Sequence, residues 1–436
     1  MSEVTSVGPA SEVNVLRLSS TRYYALALLT LIYALNFLDR TIFNVLIEPI
    51  KKEFALSDTM IGLLAGFGFV LMYSAIGMPI AYYADRGNRR NIVALGLTLW
   101  SSMTMLCGMA QSVSMLALAR IGVGIGESAG TPASQSLVAD LFTKDERPRA
   151  LGIFAIGTYL GIFLGYFYGG WVSQYYGWRI AFLSAGLPGI ALAVLLWLTV
   201  REPVRGANDK AVSASGRERI GTTLSFLFSQ KSFALVLIGF CLTTYSNYAS
   251  SVWIPPFLAR IHKLSPAEIG TYAGTFKGLF GIAGTLVGGF VVARISKHDD
   301  RWKLWAPALA STLAAPAFAY CTLAFDFQTS IAMLGLFSLL AGFHLGPIFA
   351  IAQTIAKPSM RAFASATILL TATCVGQGLG PLVVGYLNDV LKPIYGVDAI
   401  RYSLLSASLT SVFGALFFVW AAVSLRADIQ RAANRS

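Results

Sequence analysis

The chain has 436 residues, of which 56% are hydrophobic and 12% are charged. Soluble globular proteins carry about 25% charged residues, so this composition argues against a soluble protein. The formal net charge of +12 would suit a nucleic-acid-binding protein, but the positions of the basic residues along the chain argue against that function.

Twelve apolar stretches recur along the whole chain. Each is long enough for a helix of about 20 residues to cross the ~30 Å hydrocarbon core of a bilayer. We therefore predict an all-α integral membrane protein with twelve transmembrane helices. Glycine and proline interrupt several stretches, and a membrane helix tolerates such breaks where neighbouring helices satisfy its backbone. The predicted spans are 24–47, 58–84, 91–110, 113–141, 148–172, 177–200, 231–257, 267–293, 304–324, 328–356, 361–388 and 399–425.

Lysine and arginine are distributed unequally between the two sides of the predicted membrane. With the N-terminus in the cytoplasm, the cytoplasmic segments carry 23 of the 33 basic residues and the outer loops carry 7. The other three, Arg40, Arg120 and Lys277, lie inside spans. An excess of positive charge in cytoplasmic segments is the usual orientation signal. We therefore expect a multi-pass protein of the cell membrane, in bacteria the inner membrane, with both termini cytoplasmic and no nucleic-acid partner.

The spans divide into two similar halves. The polar stretch 201–230 is the predicted cytoplasmic linker between a six-helix half at 1–200 and a second at 231–436. Arg149 opens the fifth span and Arg361 the eleventh, and glycine-rich segments follow both. Such glycines indicate close helix packing. Two pseudo-symmetric six-helix halves are typical of secondary transporters.

Two spans carry charges that a bilayer disfavours. Asp39 and Arg40 lie in the first span, and Arg120 and Glu127 lie in the fourth. Intramembrane charges usually mark a substrate pathway or a proton relay. Arg120 and Glu127 lie within about 20° on one helix face, whereas Asp39 and Arg40 point about 100° apart and must find separate partners. The alternative is a structural ion-pair network that only fastens the first span to the fourth.

Basic side chains inside spans are the candidates for binding an anionic substrate. The planar guanidinium groups of Arg40 and Arg120 suit a phosphate or carboxylate, and Asn36 shares the segment of Arg40. Lys277 lies about ten residues from the outer end of the eighth span, where we predict head-group binding or gating. The alternative is that Lys277 has no such role and extends its amine to the membrane surface.

The loop after the second span reads Ala-Tyr-Tyr-Ala-Asp-Arg-Gly-Asn-Arg-Arg at 81–90. It resembles the signature loop of the major facilitator superfamily, G-x-x-x-D-R-x-G-R-R, with Ala81 and Asn88 in place of the two glycines. The resemblance implies a cytoplasmic gate in which Asp85 and its arginines pair with neighbouring helices, including the eleventh. The alternative is an anchor of cytoplasmic charge. The predicted gate residues are Asp85, Arg86, Arg89, Arg90 and Arg149.

Three further segments indicate a particular branch of this superfamily. Leu-Asn-Phe-Leu-Asp-Arg at 35–40, Gly-Val-Gly-Ile-Gly-Glu-Ser at 122–128 and the segment 137–152 resemble the Spinster branch of the superfamily. That resemblance implies transport of lysophospholipids or sphingoid phosphates. It also links the acids of the first and fourth spans, Asp39 and Glu127, to proton coupling.

These features together predict a proton-coupled secondary transporter that moves an amphipathic, anionic lipid by alternating access. The alternative is a proton-coupled carrier of small organic anions or a multidrug antiporter. We expect a monomer that meets its substrate, protons and membrane lipids. No P-loop, nucleotide-binding glycine motif or metal-ligand spacing occurs in the sequence, so we expect no cofactor, no metal and no ATP-driven pump. An enzyme would need a nucleophile–base pair or metal ligands, and we cannot assemble either from these helices, so we expect no enzyme. A channel would need no proton.

Overall fold

The computed structural model describes residues 9–84, 86–143, 145–205, 220–357 and 360–434. All regular secondary structure in these ranges is helical, because only a helix or a closed barrel satisfies its own backbone in hydrocarbon. Nine helices in the described ranges are long and apolar enough to cross a membrane. Two of them, Arg149–Thr199 and Phe363–Arg431, double back and cross twice. With the interrupted helix at 113–141, the crossings number twelve, which confirms the prediction.

The first half contains six membrane helices and a short connecting helix, Ile47–Phe54. Its helices are α1 at Pro9–Val45, α2 at Asp58–Gly62, Leu63–Phe67 and Gly68–Ala84, α3 at Arg89–Gly108, α4 at Val113–Ser128 and Gly130–Leu141, and α5 and α6 within Arg147–Thr199. The chain reverses between α5 and α6 at Gly177, whose φ of 84° lies in the left-handed region that favours glycine.

The second half repeats this arrangement. Its helices are α7 at Lys231–Ile261, α8 at Pro266–Ala273, Gly274–Leu279 and Phe280–Ile295, α9 at Trp302–Leu323, α10 at Phe327–Ala341 and Leu345–Ile355, α11 at Arg361–Thr373, Cys374–Leu379 and Gly380–Tyr395, and α12 at Ala399–Asn434. A 3-10 turn at Gly396–Asp398 joins α11 to α12.

Part of the predicted linker is helical. Residues 206–219 lie outside the described ranges, but Ile220–Ser229 forms a helix before α7. Leu227 is fully buried in the hydrophobic core of the second half, and Phe226 packs against that core. The end of the predicted linker therefore packs against the second half. The polar composition of the rest of the linker does not indicate this contact.

Side-chain caps explain where several helices begin. Ser57, Asn88, Ser112 and Asp326 each accept a hydrogen bond from the backbone N–H three residues later. Ser265 forms a capping box with Glu268 at the start of α8. These caps satisfy N–H groups that have no partner within the first helical turn. They fix the starts of α2, α3, α4, α8 and α10.

The connections between helices define two ends of the bundle. The Asp58 end contains the connections α1–α2, α7–α8 and α11–α12, and the Arg89 end contains α2–α3, α4–α5 and α8–α9. Between the ends, three helices contain a π-helical segment: Leu63–Phe67 in α2, Gly274–Leu279 in α8 and Cys374–Leu379 in α11. All three face the contact between the halves. Such π-turns occur frequently at functional sites.

Candidate functional site

Asp39 and Arg40 find separate partners, as their angular separation predicts. Asp39 is 2% exposed, and its Oδ2 accepts a hydrogen bond of 3.2 Å from Thr104 Oγ1 on α3. Arg40 points instead toward α4. The neighbouring residues therefore attach α1 to two different helices of the first half.

A buried ion pair joins α1 to α4. Arg40 Nε lies 2.6 Å from Glu127 Oε2, and the Glu127 side chain is fully buried. The guanidinium carbon of Arg40 lies 5.0 Å from the ring centres of Phe69 and Tyr73. Aromatic faces attract a desolvated cation, so the rings and the carboxylate together hold Arg40 in place.

Arg40 also reaches the second half of the protein. Its Nη1 donates a 3.4 Å hydrogen bond to Gln377 Oε1. Gln377 is buried and lies in the π-helical segment of α11. The charged cluster of the first half therefore touches the surface along which the two halves meet.

Arg120 lies beside this ion pair but has no carboxylate within 4.0 Å among the described residues. It is 3% exposed, and its guanidinium carbon lies 4.7 Å from the ring centre of Phe43. Asp39 and Glu127 are within electrostatic reach. Arg120 is thus a buried cation that the rings of Phe43 and Phe69 support.

Several buried polar atoms of this cluster make no hydrogen bond to any described residue. Buried polar groups are almost always hydrogen-bonded, so such atoms usually meet water, a proton or a ligand. Asn36 lies within reach of Glu127, but no hydrogen bond of ordinary geometry joins them. The atoms are Asn36 Oδ1 and Nδ2, Asp39 Oδ1, Arg120 Nε and Glu127 Oε1.

Lys277 lies apart from this cluster. Its Nζ donates a 2.6 Å hydrogen bond to Ser250 Oγ on α7 and lies 5.6 Å from the ring centre of Phe337 on α10. Lys277 is 6% exposed, so it does not extend to the membrane surface. No carboxylate of the described residues lies within 4.0 Å of it. The structure therefore does not bring Lys277 together with Arg40 and Arg120.

Arg89 and Arg90 bind within the first half and the segment that follows it. Arg89 is buried and pairs with Asp140 at the end of α4 and, at 2.8 Å, with Glu202 after α6. The backbone N–H of Arg90 donates to the same Glu202 carboxylate. Arg149 is exposed, and Asp85 lies outside the described residues. The predicted contact of this loop with α11 stays a prediction.

Among the described residues, the ionic contacts between the halves lie at the opposite end of the bundle, and the sequence does not predict them. Arg260 at the end of α7 donates to both carboxylate oxygens of Asp58 at 2.5 and 2.9 Å and to Glu48 at 2.8 Å. Asp389 of α11 accepts from the backbone N–H groups of Asp58 and Thr59 at 3.0 and 2.7 Å. The predicted start of α2 is the one signal in the sequence for the Asp389 contact, because a helix N-terminus attracts a carboxylate.

The contacts between halves become fewer toward the Arg89 end. The cross-half hydrogen bonds nearest that end, among the described residues, are Tyr159 with Thr285 and Ser74 with Cys374. The ion pairs that join described residues at the Arg89 end remain within one half or its adjoining segment, as in Arg22–Glu146, Arg89–Asp140, Arg89–Glu202 and Arg426–Asp299. The bundle is therefore closed at the Asp58 end.

Comparisons with known proteins agree with this architecture. A sequence model of the Major Facilitator Superfamily matches residues 29–381. An MFS-type efflux pump of Mycolicibacterium smegmatis is 35% identical over 93% of this chain and 94% of its own length. The sphingosine-1-phosphate transporter SPNS2 of Danio rerio is 26% identical over 92% of this chain and 84% of its own length.

A solved structure has the same overall arrangement. It is a crystal structure of a bacterial homolog of the human lysosomal transporter Spinster, in an inward-facing and unoccupied conformation. Its TM-score is 0.85 at 28% sequence identity, and the match covers 94% of this chain and 98% of that chain.

Proposed function

The chain belongs to the Major Facilitator Superfamily, in its Spinster-like branch, and we propose that this membrane transporter couples proton movement to the transport of an amphipathic, anionic lipid. The observation that carries the proposal is the buried Arg40–Glu127 pair. It lies beside unsatisfied polar atoms and touches Gln377 of the other half. Its charge state can therefore influence how the halves meet.

The proposed coupling follows from competition for Arg40. An anionic head group that takes Arg40 removes the cation that neutralises Glu127, and a proton then neutralises the carboxylate instead. When Glu127 loses the proton, it recaptures Arg40 and displaces the head group. Asp39, whose Oδ1 has no partner among the described residues, is the second proposed proton acceptor. Each ligand shifts the alternating-access equilibrium only by its difference in affinity for the two conformations.

The proposed substrate chemistry rests on the surroundings of the two arginines. Arg120 offers a guanidinium edge without a carboxylate partner among the described residues, and guanidinium suits a phosphate. Phe37, Phe43 and Phe69 supply apolar surface next to these cations. A single-tailed lipid with a phosphate head presents both complementary chemistries. Lys277, a separate buried cation of the second half, is proposed as a head-group contact in another conformation.

The proposed orientation follows from the basic residues. We place the protein in a cell membrane with the Arg89 end facing the cytoplasm. The closed Asp58 end then faces the outside, so the conformation is inward-facing. Both termini then lie in the cytoplasm. The loop at 81–90 and Arg149 would form their gate contacts with the second half only when the cytoplasmic end closes. We propose a monomer, because each half finds its counterpart within the chain.

Reconstituted transport tests the proposal. Proteoliposomes with and without a pH gradient are given a sphingoid phosphate, a lysophospholipid, a small organic anion and a cationic drug. We expect the gradient to drive uptake of the two lipids. Glu127→Gln and Asp39→Asn should lose gradient-driven transport, whereas the exposed Glu53→Gln should retain it.

Two outcomes would overturn this function. Full gradient-driven transport by Glu127→Gln would remove Glu127 from proton coupling. Gradient-driven movement of the organic anion or the drug, without the lipids, would favour the alternative carrier. The similarity to an efflux pump is the observation that supports that second candidate.

Arg120→Lys separates a substrate role from a structural role. Lysine keeps the charge but loses the planar, bidentate geometry of guanidinium. We expect substrate affinity and transport to fall while the melting temperature changes little. A variant with wild-type affinity and transport would show that Arg120 only supports the packing of α4.

A further inference from the structure

A cavity at the Asp58 end lies outside the charged cluster described above. Its volume is about 390 Å³, and both halves contribute to its walls. The lining contains four basic side chains and one carboxylate: Lys51, Arg260, Lys263, Lys392 and Asp58. The excess of positive charge indicates a binding site for an anion.

The carboxylates at this end leave two of the lysines available. Asp58 pairs with Lys51 and with Arg260, and Glu48 also pairs with Arg260. Lys263 and Lys392 are exposed, and neither has a carboxylate within 4.0 Å among the described residues. Their charge is therefore not neutralised by the ion pairs that close the bundle.

Asn388 provides a second, independent indication of a ligand. It is 2% exposed and lines the cavity. Neither Oδ1 nor Nδ2 of its side chain has a hydrogen-bond partner in the described part of the chain. A buried amide without partners is costly. The amide N–H groups of Asn388 can donate to an anion in the cavity.

The helix ends around the cavity add to its positive potential. One wall consists of Gly396 and Val397, in the 3-10 turn before α12, and of Ala399 and Ile400, at the start of α12. A helix N-terminus favours an anion. The C-terminal ends of α7 and α11 also lie here. Their last turns carry Arg260 and Lys392, which offset the negative ends of those helices.

We propose that this cavity binds a phosphate or phosphomonoester group, supplied either as free phosphate or as the head group of a phosphatidic acid. Lysine binds phosphate as a point charge, and the amide of Asn388 adds a directional contact. Because both halves contribute to the walls of the cavity, the bound anion would also favour the closed Asp58 end. The proposal does not depend on the identity of the transported substrate.

Lysine footprinting of the full-length protein tests the site. The protein is placed in nanodiscs of phosphatidylcholine and labelled with an amine-reactive reagent, with and without inorganic phosphate. Lys52 is the internal control, because it is exposed and does not line the cavity. We expect phosphate to protect Lys263 and Lys392 but not Lys52. Equal protection of all three lysines would mean general screening and would overturn the proposal.

A second arm distinguishes the two sources of the group. Nanodiscs that contain phosphatidic acid are labelled in buffer without phosphate. Protection of Lys263 and Lys392 only in these discs identifies a lipid head group, whereas protection only by inorganic phosphate identifies the free ion. Absence of protection in both arms would overturn the proposal.

Affinity measurements keep the test independent of labelling. The Kd of inorganic phosphate, or of a short-chain phosphatidic acid if that is the ligand, is compared among variants. Lys263→Gln with Lys392→Gln should weaken binding about tenfold or more, because the anion loses two charged contacts. Asn388→Leu should weaken it less, and Lys52→Gln should leave it unchanged. An unchanged Kd in the double lysine variant would contradict the site.

Discussion

The two junctions that close the Asp58 end have the same backbone plan. Where α2 meets α11, a Cβ on Gly62 would lie 2.5 Å from the carbonyl oxygen of Pro381, and one on Gly385 would lie 2.4 Å from that of Asp58. The contacting positions are four residues apart on each helix: 58 and 62 on α2, and 381 and 385 on α11.

The junction of α5 with α8 repeats this spacing. A Cβ on Gly270 would lie 2.5 Å from the carbonyl oxygen of Tyr166, and one on Gly170 would lie 2.3 Å from that of Pro266. The four-residue spacing is again present on both helices. The pseudo-symmetry of the halves therefore extends to single backbone contacts, and only glycine permits them.

The junctions differ in charge. Four residues after Gly385, the Asp389 carboxylate accepts from the N-terminus of α2. Four residues after Gly170, the neutral amide of Gln174 accepts from Ala267 N–H of α8 at 2.9 Å. Separation of α2 from α11 must therefore break charged contacts, whereas α5 and α8 separate without doing so. The two junctions therefore share the same close glycine packing. They differ in electrostatics, which makes the α2–α11 junction more costly to open than the α5–α8 junction.

The largest effect should come from filling the shared glycine contacts. Gly385→Ala and Gly170→Ala place a methyl group against a backbone carbonyl that cannot rotate away. Overpacking costs about 1–3 kcal/mol, so the closed Asp58 end should lose roughly tenfold in population. Distances between spin labels at Gln111 and Val397, one in each half, measure the opening.

Gly289→Ala is the matched control, because no atom lies within 4 Å of the position that its Cβ would take. Its distance distribution should equal that of the wild type. A distribution in Gly385→Ala that matches this control would show that the junction is not held by close backbone packing.

A smaller effect is expected for the difference between the two junctions, measured by one substitution in each. Asp389→Ala removes a charged acceptor, worth roughly 1.5–3 kcal/mol, whereas Gln174→Ala removes a neutral one, worth about 0.5–1.5 kcal/mol. The same pair of spin labels should therefore report more opening in Asp389→Ala. Equal shifts in the two variants would mean that charge does not distinguish the junctions.

The parts of this structure that the sequence predicts are those set by local properties. Hydropathy reveals all twelve crossings, because each span must be apolar by itself. It also exposes Asp39 and Glu127, since a charge in an apolar segment is visible without knowledge of the fold. Asp389 and Arg260 could not be selected in this way. They lie at span ends, where charges are common, and their partners belong to the other half.

Lys277 shows a second limit of prediction from sequence. The direction of a side chain along a helix follows from about 100° per residue. The π-helical segment Gly274–Leu279 contains Lys277, and a π-turn inserts an extra residue that rotates the following positions. The structure accordingly places Lys277 against Ser250 and Phe337 within the second half.

The smallest effect is expected for an ion pair at the same end that does not cross between halves. Glu53 accepts hydrogen bonds from Arg179 and Trp178 at 2.6 and 2.8 Å, and all three belong to the first half. The bonds from Arg179 and Trp178 lower the pKa of Glu53 below its ordinary value of 4.5. A carboxylate with a lowered pKa stabilises the fold above its unfolded pKa, and this contribution is lost as the pH falls through the folded value.

Glu53→Gln should therefore lower the melting temperature slightly at pH 7, and its difference from the wild type should shrink as the pH falls below about 4.5. The spin-label distance between Gln111 and Val397 should stay unchanged, because both partners of the pair belong to the first half. Only contacts that span the two halves should alter that distance. If Glu53→Gln opened the Asp58 end as far as Asp389→Ala does, the contrast between contacts within a half and contacts between halves would be wrong.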